Sequence, residues 1–139
     1  MSAEEAIRRT LAGYCHTCDD GRFDAFALLF AADAELAVMG SVHRGRDAIE
    51  AFMAAAQPPE RRGKHLCANP LIAVADDGAS ATAVTDYVFI ARAAGAEGGP
   101  MGSFAITSAG RYHDRLVLDD GTWRFARREI VFLGDQPTA

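Results

Sequence analysis

The sequence predicts an α+β domain in which three N-terminal helices pack on a strongly curved, mostly antiparallel sheet that encloses a pocket. Three observations lead there. Three helical stripes, interrupted by a short strand, a turn and a short returning strand, precede Gln57-Pro58-Pro59, and from Lys64 onward the pattern changes to four long extended segments. The connections between those segments are short turn clusters, which favours antiparallel meander pairing. Long antiparallel strands twist and coil, so the sheet curves around whatever covers one face and leaves a conical space beneath the helices.

The elements follow in order. Ser2 and Glu5 have capping-box spacing and place a helix start at residue 3. Ile7, Leu11, Tyr14, Cys15 and Cys18 then form one helical stripe, and Asp20-Gly21 ends it, with Gly21 suited to a left-handed cap. A second, short helix is expected over residues 24–30, with Phe26, Leu29 and Phe30 on its buried side. Residues 35–39 read as a strand, and residues 40–45 as a turn with a short returning strand. A third helix runs over residues 46–56, with Ile49, Phe52, Met53 and Ala56 on one face and Asp47 and Glu50 in its first turn, where the helix dipole favours negative charge. The extended segments cover about residues 64–75, 80–93, 102–118 and 122–133, separated by Asp76-Asp77-Gly78, Glu97-Gly98-Gly99-Pro100 and Asp119-Asp120-Gly121. Residues 93–99 read as a flexible hairpin tip.

A chain of 139 residues matches the size of a single domain, here residues 1–139. Surface scaling gives about 7,000 Å² exposed when folded against roughly 21,500 Å² unfolded, enough burial for a core without metals or disulfides. With 14 Lys and Arg against 19 Asp and Glu, the net charge is −5, and the basic footprint that nucleic-acid binding needs is missing. The most apolar stretch, residues 23–39, is broken by Asp24, Asp33 and Glu35, so no segment reads as a membrane span. The early Glu4 and Glu5 are unlike a signal peptide, and three cysteines form an odd, sparse set that fits a reducing compartment. The expectation is a soluble cytoplasmic protein with no cofactor.

Ionisable residues inside apolar elements carry the functional signal, because an unpaired charge there is costly. Tyr14 lies within the stripe of the first helix, so its hydroxyl needs a partner or a ligand. At about 100° per residue, Asp19 stands roughly 95° from the stripe centre and reaches the covered side, whereas Asp20 at roughly 165° faces water. His65 opens the first long strand, and with an ordinary pKa of about 6.5 it is the side chain best suited to accept and return a proton. Asp86 interrupts a run of β-formers on the next strand. If the strands are neighbours, Asp86 is placed to hold the His65 ring by one nitrogen, the base-plus-orienter logic of hydrolytic triads without a nucleophile. His16, His43 and His113 read as surface residues, Arg111 as paired with an acidic neighbour, and Trp123, Phe125 and Phe132 as core. Cys15 and Cys18 fit small core residues better than a redox or metal motif, since they sit deep in a helix.

The run Tyr14-(four residues)-Asp19-(three residues)-Phe23-Asp24-(five residues)-Phe30-(two residues)-Asp33-Ala34 resembles the SnoaL-like branch of the NTF2-like superfamily. Gly45-Arg46-(two residues)-Ile49, His65-(three residues)-Asn69, Gly110-Arg111-Tyr112-(one residue)-Asp114 and Gly121-(one residue)-Trp123-Arg124 continue the likeness over about residues 3–133. The resemblance implies a cone-shaped α+β fold with a deep pocket, and a homodimer formed through the sheet. Within the branch the chain looks most like the scytalone dehydratase and bile acid 7α-dehydratase group. There a tyrosine and an aspartate on the first helix and a histidine opening the third strand line the pocket, the places held by Tyr14, Asp19 and His65. The scytalone type adds a second histidine on the following strand, which this chain lacks; the bile acid type has an aspartate there, for which Asp86 is the match.

The expected activity is that of a cofactor-independent lyase or isomerase, dehydratase-like or ketosteroid-isomerase-like, acting on a small hydrophobic cyclic or polycyclic ketone or enone such as a steroid, terpenoid or polyketide. In that reading His65 is the general base, Asp86 its orienter, Tyr14 the hydrogen-bond donor to the developing enolate, and Asp19 the residue that binds a hydroxyl or assists its departure. A non-catalytic small-molecule-binding or accessory protein is the alternative, because fold does not determine function. A metal protein using Cys15, Cys18, His65 and Cys67 is a weaker one. A ring-hydroxylating dioxygenase small subunit is disfavoured, because such subunits are usually longer.

Overall fold

The computed structural model describes residues 1–93 and 101–138, so the expected hairpin tip at residues 93–99, beyond residue 93, and the Glu97-Gly98-Gly99-Pro100 turn lie outside the described residues. The elements are α1 (Ala3–Asp19), α2 (Phe23–Ala27), β1 (Phe30–Val38), β2 (Ser41–Arg44), α3 (Arg46–Ala56), a single 3₁₀ turn (Pro59–Arg61), β3 (Lys64–Val74), β4 (Ser80–Arg92), β5 (Phe104–Asp119) and β6 (Thr122–Phe132). The order matches expectation. No helix among the described residues is long and apolar enough to cross a membrane.

Helix α1 starts where the Ser2 hydroxyl accepts from the Glu5 N–H at 3.1 Å, and it closes on Gly21 at a φ of 71°. Its stripe of Ile7, Leu11, Tyr14, Cys15 and Cys18 is buried. The second helix is shorter than its periodicity suggests. Phe30 belongs to β1, because the Leu29 carbonyl accepts from the Phe125 N–H at 2.9 Å and the chain joins the sheet there. Tertiary pairing overrides local helix preference at this point.

The six strands form one sheet in the order β2-β1-β6-β5-β4-β3, with β1 parallel to β6 and every other neighbour antiparallel. The core lies between this sheet and the helices: Ile7, Leu11, Phe26, Phe30, Leu36, Ile49, Leu116 and Phe125 are among its buried members. Two polar anchors fix the helices on the sheet. The Thr10 hydroxyl donates to the Trp123 carbonyl at 2.8 Å, and the Arg46 side chain donates to the Phe30 carbonyl at 2.8 Å.

Two register irregularities and one close backbone approach shape the covered side. Between Arg115/Arg127 and Leu116/Phe125, Ala126 is an extra residue, a bulge that turns Arg128 rather than Arg127 inward. A second irregularity, between Ala68 and Leu71, places Asn69 at a positive φ of 55°. At Gly110 the sheet backbone is so close that an added Cβ would overlap the Val131 carbonyl oxygen and crowd the Tyr87 ring at 3.0 Å, so only glycine fits beside Tyr87.

Candidate active site

Strand β3 alternates so that His65 and Cys67 face the helices, and their antiparallel partners on β4 are Phe89 and Tyr87. Across this hinge of helix and strand, the last residue of α1 meets the start of β3. Asp19 uses both carboxylate oxygens on one residue. Oδ2 accepts the His65 backbone N–H at 2.9 Å, and Oδ1 lies 2.5 Å from Nδ1 of its ring. Both side chains are nearly sealed from solvent, at 8% exposure for His65 and 5% for Asp19. A carboxylate only accepts, so Nδ1 carries the proton and Nε2 is the basic nitrogen. Nε2 has no hydrogen-bond partner among the described residues.

The imidazole lies against a cavity of about 160 Å³ lined by Tyr14, Phe52, Met53, His65, Tyr87, Phe89, Tyr112 and Ile130, among others. The Phe89 ring covers the imidazole at a centroid distance of 4.5 Å, and the Tyr14 ring meets it edge-on at 6.1 Å. Burial pushes the Tyr14 phenol far above its ordinary pKa, and burial likewise raises Tyr112, so both stay protonated hydrogen-bond donors. Neither hydroxyl has a partner among the described residues, whereas the Tyr87 hydroxyl pairs with the Ser108 hydroxyl at 2.9 Å. A wider space of about 600 Å³, lined by Pro59, Arg61, Arg62 and Ala91, shares Ala56, Gln57, Phe89 and Ser108 with the cavity. The two spaces adjoin along those four residues.

Tyr14, Asp19 and His65 therefore come together, and Asp86 does not join them. Asp86 pairs in register with Ala68 and Arg111, on the opposite face of the sheet from His65. Its carboxylate accepts from Arg111 at 2.7 Å and from Asn69 at 3.2 Å, and those bonds hold its pKa below the usual carboxylate value. The alternation of β4 turns Tyr87 inward instead, where it stacks on Tyr112 at 4.5 Å. The carboxylate that contacts the His65 ring is Asp19, in the place expected for Asp86. Asp86→Asn is accordingly expected to leave turnover and melting temperature close to those of the parent protein, as read by thermal denaturation and by any assay the protein supports.

Two buried residues were missed. Arg128 is fully enclosed and holds Asp114 through two bonds of 2.8 Å, from Nε and Nη2. Its guanidinium carbon stands 4.2 Å, 3.8 Å and 4.3 Å from the ring centroids of Tyr14, Tyr112 and Phe125. Nη1 has no acceptor among the described residues, and the guanidinium stands against the three ring faces. Burial lowers the Arg128 pKa, but the Asp114 carboxylate with its hydrogen bonds outweighs this and holds it above the ordinary value, so the cation is permanent. It fixes both cavity tyrosines from beneath.

The donor atoms of Cys18, Asp19 and His65 lie within 4.8 Å of one another, but the short Asp19–His65 bond already occupies two of the three. Cys15 and Cys67 pair with each other at 3.2 Å. The four ligands considered for a metal thus separate into two groups.

A family model described as a SnoaL-like domain matches residues 1–129. The chain belongs to the SnoaL-like family. No curated protein sequence matches it. Among solved structures, this SnoaL-like protein is similar to Rv3472 of Mycobacterium tuberculosis, a protein of unknown function, at 30% identity and a TM-score of 0.81, over 91% of this chain and 69% of that one. An NTF2-like protein with a cystatin-like fold from Novosphingobium aromaticivorans shares 25% identity at a TM-score of 0.81, over 96% and 83% of the two chains. A scytalone dehydratase-like protein from the same organism shares 24% identity at a TM-score of 0.76, over 98% and 89%, a likeness of fold. The helices and curved six-stranded sheet are thus the NTF2-like cone.

Proposed function

We propose that this SnoaL-like protein is a cofactor-independent lyase or isomerase that removes a carbon-bound proton next to the carbonyl of a small cyclic ketone or enone. One observation carries the reading. A buried imidazole is fixed at Nδ1 by Asp19, and its basic Nε2 is left beside an apolar cavity whose Tyr14 phenol has no partner among the described residues. His65 takes the proton at Nε2. Asp19 keeps the ring in the tautomer and orientation that make Nε2 basic, and balances the imidazolium charge that forms. Tyr14 donates to the developing enolate oxygen, and its phenol remains protonated because burial disfavours the phenolate. General-base action of this kind contributes about 10² to 10⁴ in rate, and an oxyanion donor a further 10² to 10³ or so. The imidazolium then returns its proton to a departing hydroxyl in the dehydratase version, or to another carbon in the isomerase version. The dehydratase version is in keeping with the name of the scytalone dehydratase-like relative.

Space sets the substrate's size. The inner cavity, at about 160 Å³, is below the range of about 300 to 1,000 Å³ typical of ligand pockets and suits one reacting ring. The rest of a polycyclic steroid, terpenoid or polyketide extends into the wider adjoining space. Leu66, Leu71 and Ile106, at 53%, 75% and 63% exposure, lie on the outer face of the sheet and support a homodimer formed there.

The test is incubation with a panel of cyclic hydroxyketones and enones, followed by mass. Loss of water indicates a dehydratase, and an isomeric product of unchanged mass an isomerase. Tight binding with no conversion of any panel member, undiminished in His65→Gln, would identify a binding protein instead.

A further inference from the structure

We propose that Cys15 and Cys67 form a reversible oxidation site, closing to a disulfide that ties α1 to β3 next to the Asp19–His65 pair when the protein meets a peroxide. The two sulfurs lie 3.2 Å apart although the residues are 52 positions apart in the chain. A disulfide bond needs a separation of about 2.05 Å, so the sulfurs must close by only about 1.2 Å. Both cysteines flank the site: Cys15 follows Tyr14 on α1, and Cys67 follows His65 by two residues on the same face of β3.

The pair is chemically asymmetric. Cys15 is buried, while Cys67 keeps partial exposure on β3, an edge strand of the sheet. The two sulfurs share one hydrogen bond, which pushes Cys15 up and holds Cys67 below the ordinary thiol value. Cys67 is therefore the nucleophile and Cys15 the resolving thiol. Cys18 is wholly buried, and burial pushes its thiol up to about 12, so it does not compete.

The reaction balances in two steps. The Cys67 thiolate attacks hydrogen peroxide; an S–O bond forms, the O–O bond breaks, and the departing hydroxide is protonated to water. The Cys15 sulfur then attacks the Cys67 sulfenic acid; the S–S bond forms, the S–O bond breaks, and the hydroxide leaves with the Cys15 proton as a second water. Two electrons pass from the sulfurs to the peroxide, and a dithiol reductant returns them.

The proposal is independent of the reaction assigned to His65, because its test reads the bond itself. Purified protein is treated with hydrogen peroxide and separately with diamide, then mapped without reduction. The expected result is an intact mass lower by two hydrogens, a Cys15–Cys67 cross-linked peptide, and a melting temperature raised by about 5 to 10 °C, all reversed by dithiothreitol. Cys18→Ala retains the cross-link, and Cys67→Ser abolishes it. Absence of the Cys15–Cys67 peptide in the oxidised wild-type protein, added oxygen on Cys67 in place of the cross-link, or cross-linking only between two chains would each overturn it.

Discussion

Asp114→Ala is expected to destabilise the fold by about 3 to 5 kcal/mol, because it strands the charge of Arg128 in a fully buried site. Arg128 is 0% exposed and Asp114 4%, and the two bonds between them are the guanidinium's only anionic contacts among the described residues. Burial raises the Asp114 carboxyl and Arg128 draws it part of the way back, so the ion pair costs desolvation on both sides. Taking away one partner removes the attraction and leaves the desolvation. The three aromatic rings recover part of the loss, since a desolvated cation–π contact contributes about 2 kcal/mol or more. Urea denaturation measures the difference: a lower midpoint at unchanged slope is expected, and a change below about 1 kcal/mol would contradict the assignment. Replacing both residues together with apolar ones of similar volume is expected to restore most of the stability, while loosening Tyr14 and Tyr112 in the cavity.

His65→Gln is expected to lower turnover by about a hundredfold or more. The substitution keeps the backbone N–H that donates to Asp19 at 2.9 Å, so the junction between α1 and β3 survives it. What it removes is the basic Nε2. A folded variant with full activity would end the general-base account. Loss of activity together with loss of the fold would show only that the residue matters for structure, which is why the melting temperature must be measured alongside.

Much of the architecture was legible because its signals are local. The Ser2 cap, the α1 stripe and the turn clusters each specify an element without reference to the rest of the chain. Asp19 was legible too, since a helix sets direction by angle, and an aspartate on the shoulder of an apolar stripe must reach the covered side. Strand residues are harder. Whether Asp86 or Tyr87 faces inward depends on parity, and parity is set by pairing: His65 opposite Phe89 puts Tyr87 inside and Asp86 outside. Alternation along β5 does contain a clue to Asp114, which shares a face with Tyr112 and Leu116. Its partner was hidden by the bulge at Ala126, which exchanges the faces of Arg127 and Arg128 and is invisible in the residue pattern. The Cys15–Cys67 pair joins distant segments, and neither spacing nor composition reports such a contact.

The account rests on His65 taking a proton from carbon while Asp19 holds its ring. Deuterium uptake from D₂O at the position next to the carbonyl of a bound cyclic ketone, followed by mass in the presence of wild-type protein and of His65→Gln, reads that step without requiring the natural substrate. Accelerated uptake with the wild-type protein and none above the buffer rate with the variant is the predicted result; equal uptake with both, or no acceleration by the wild type with any ketone that binds the cavity, would contradict it.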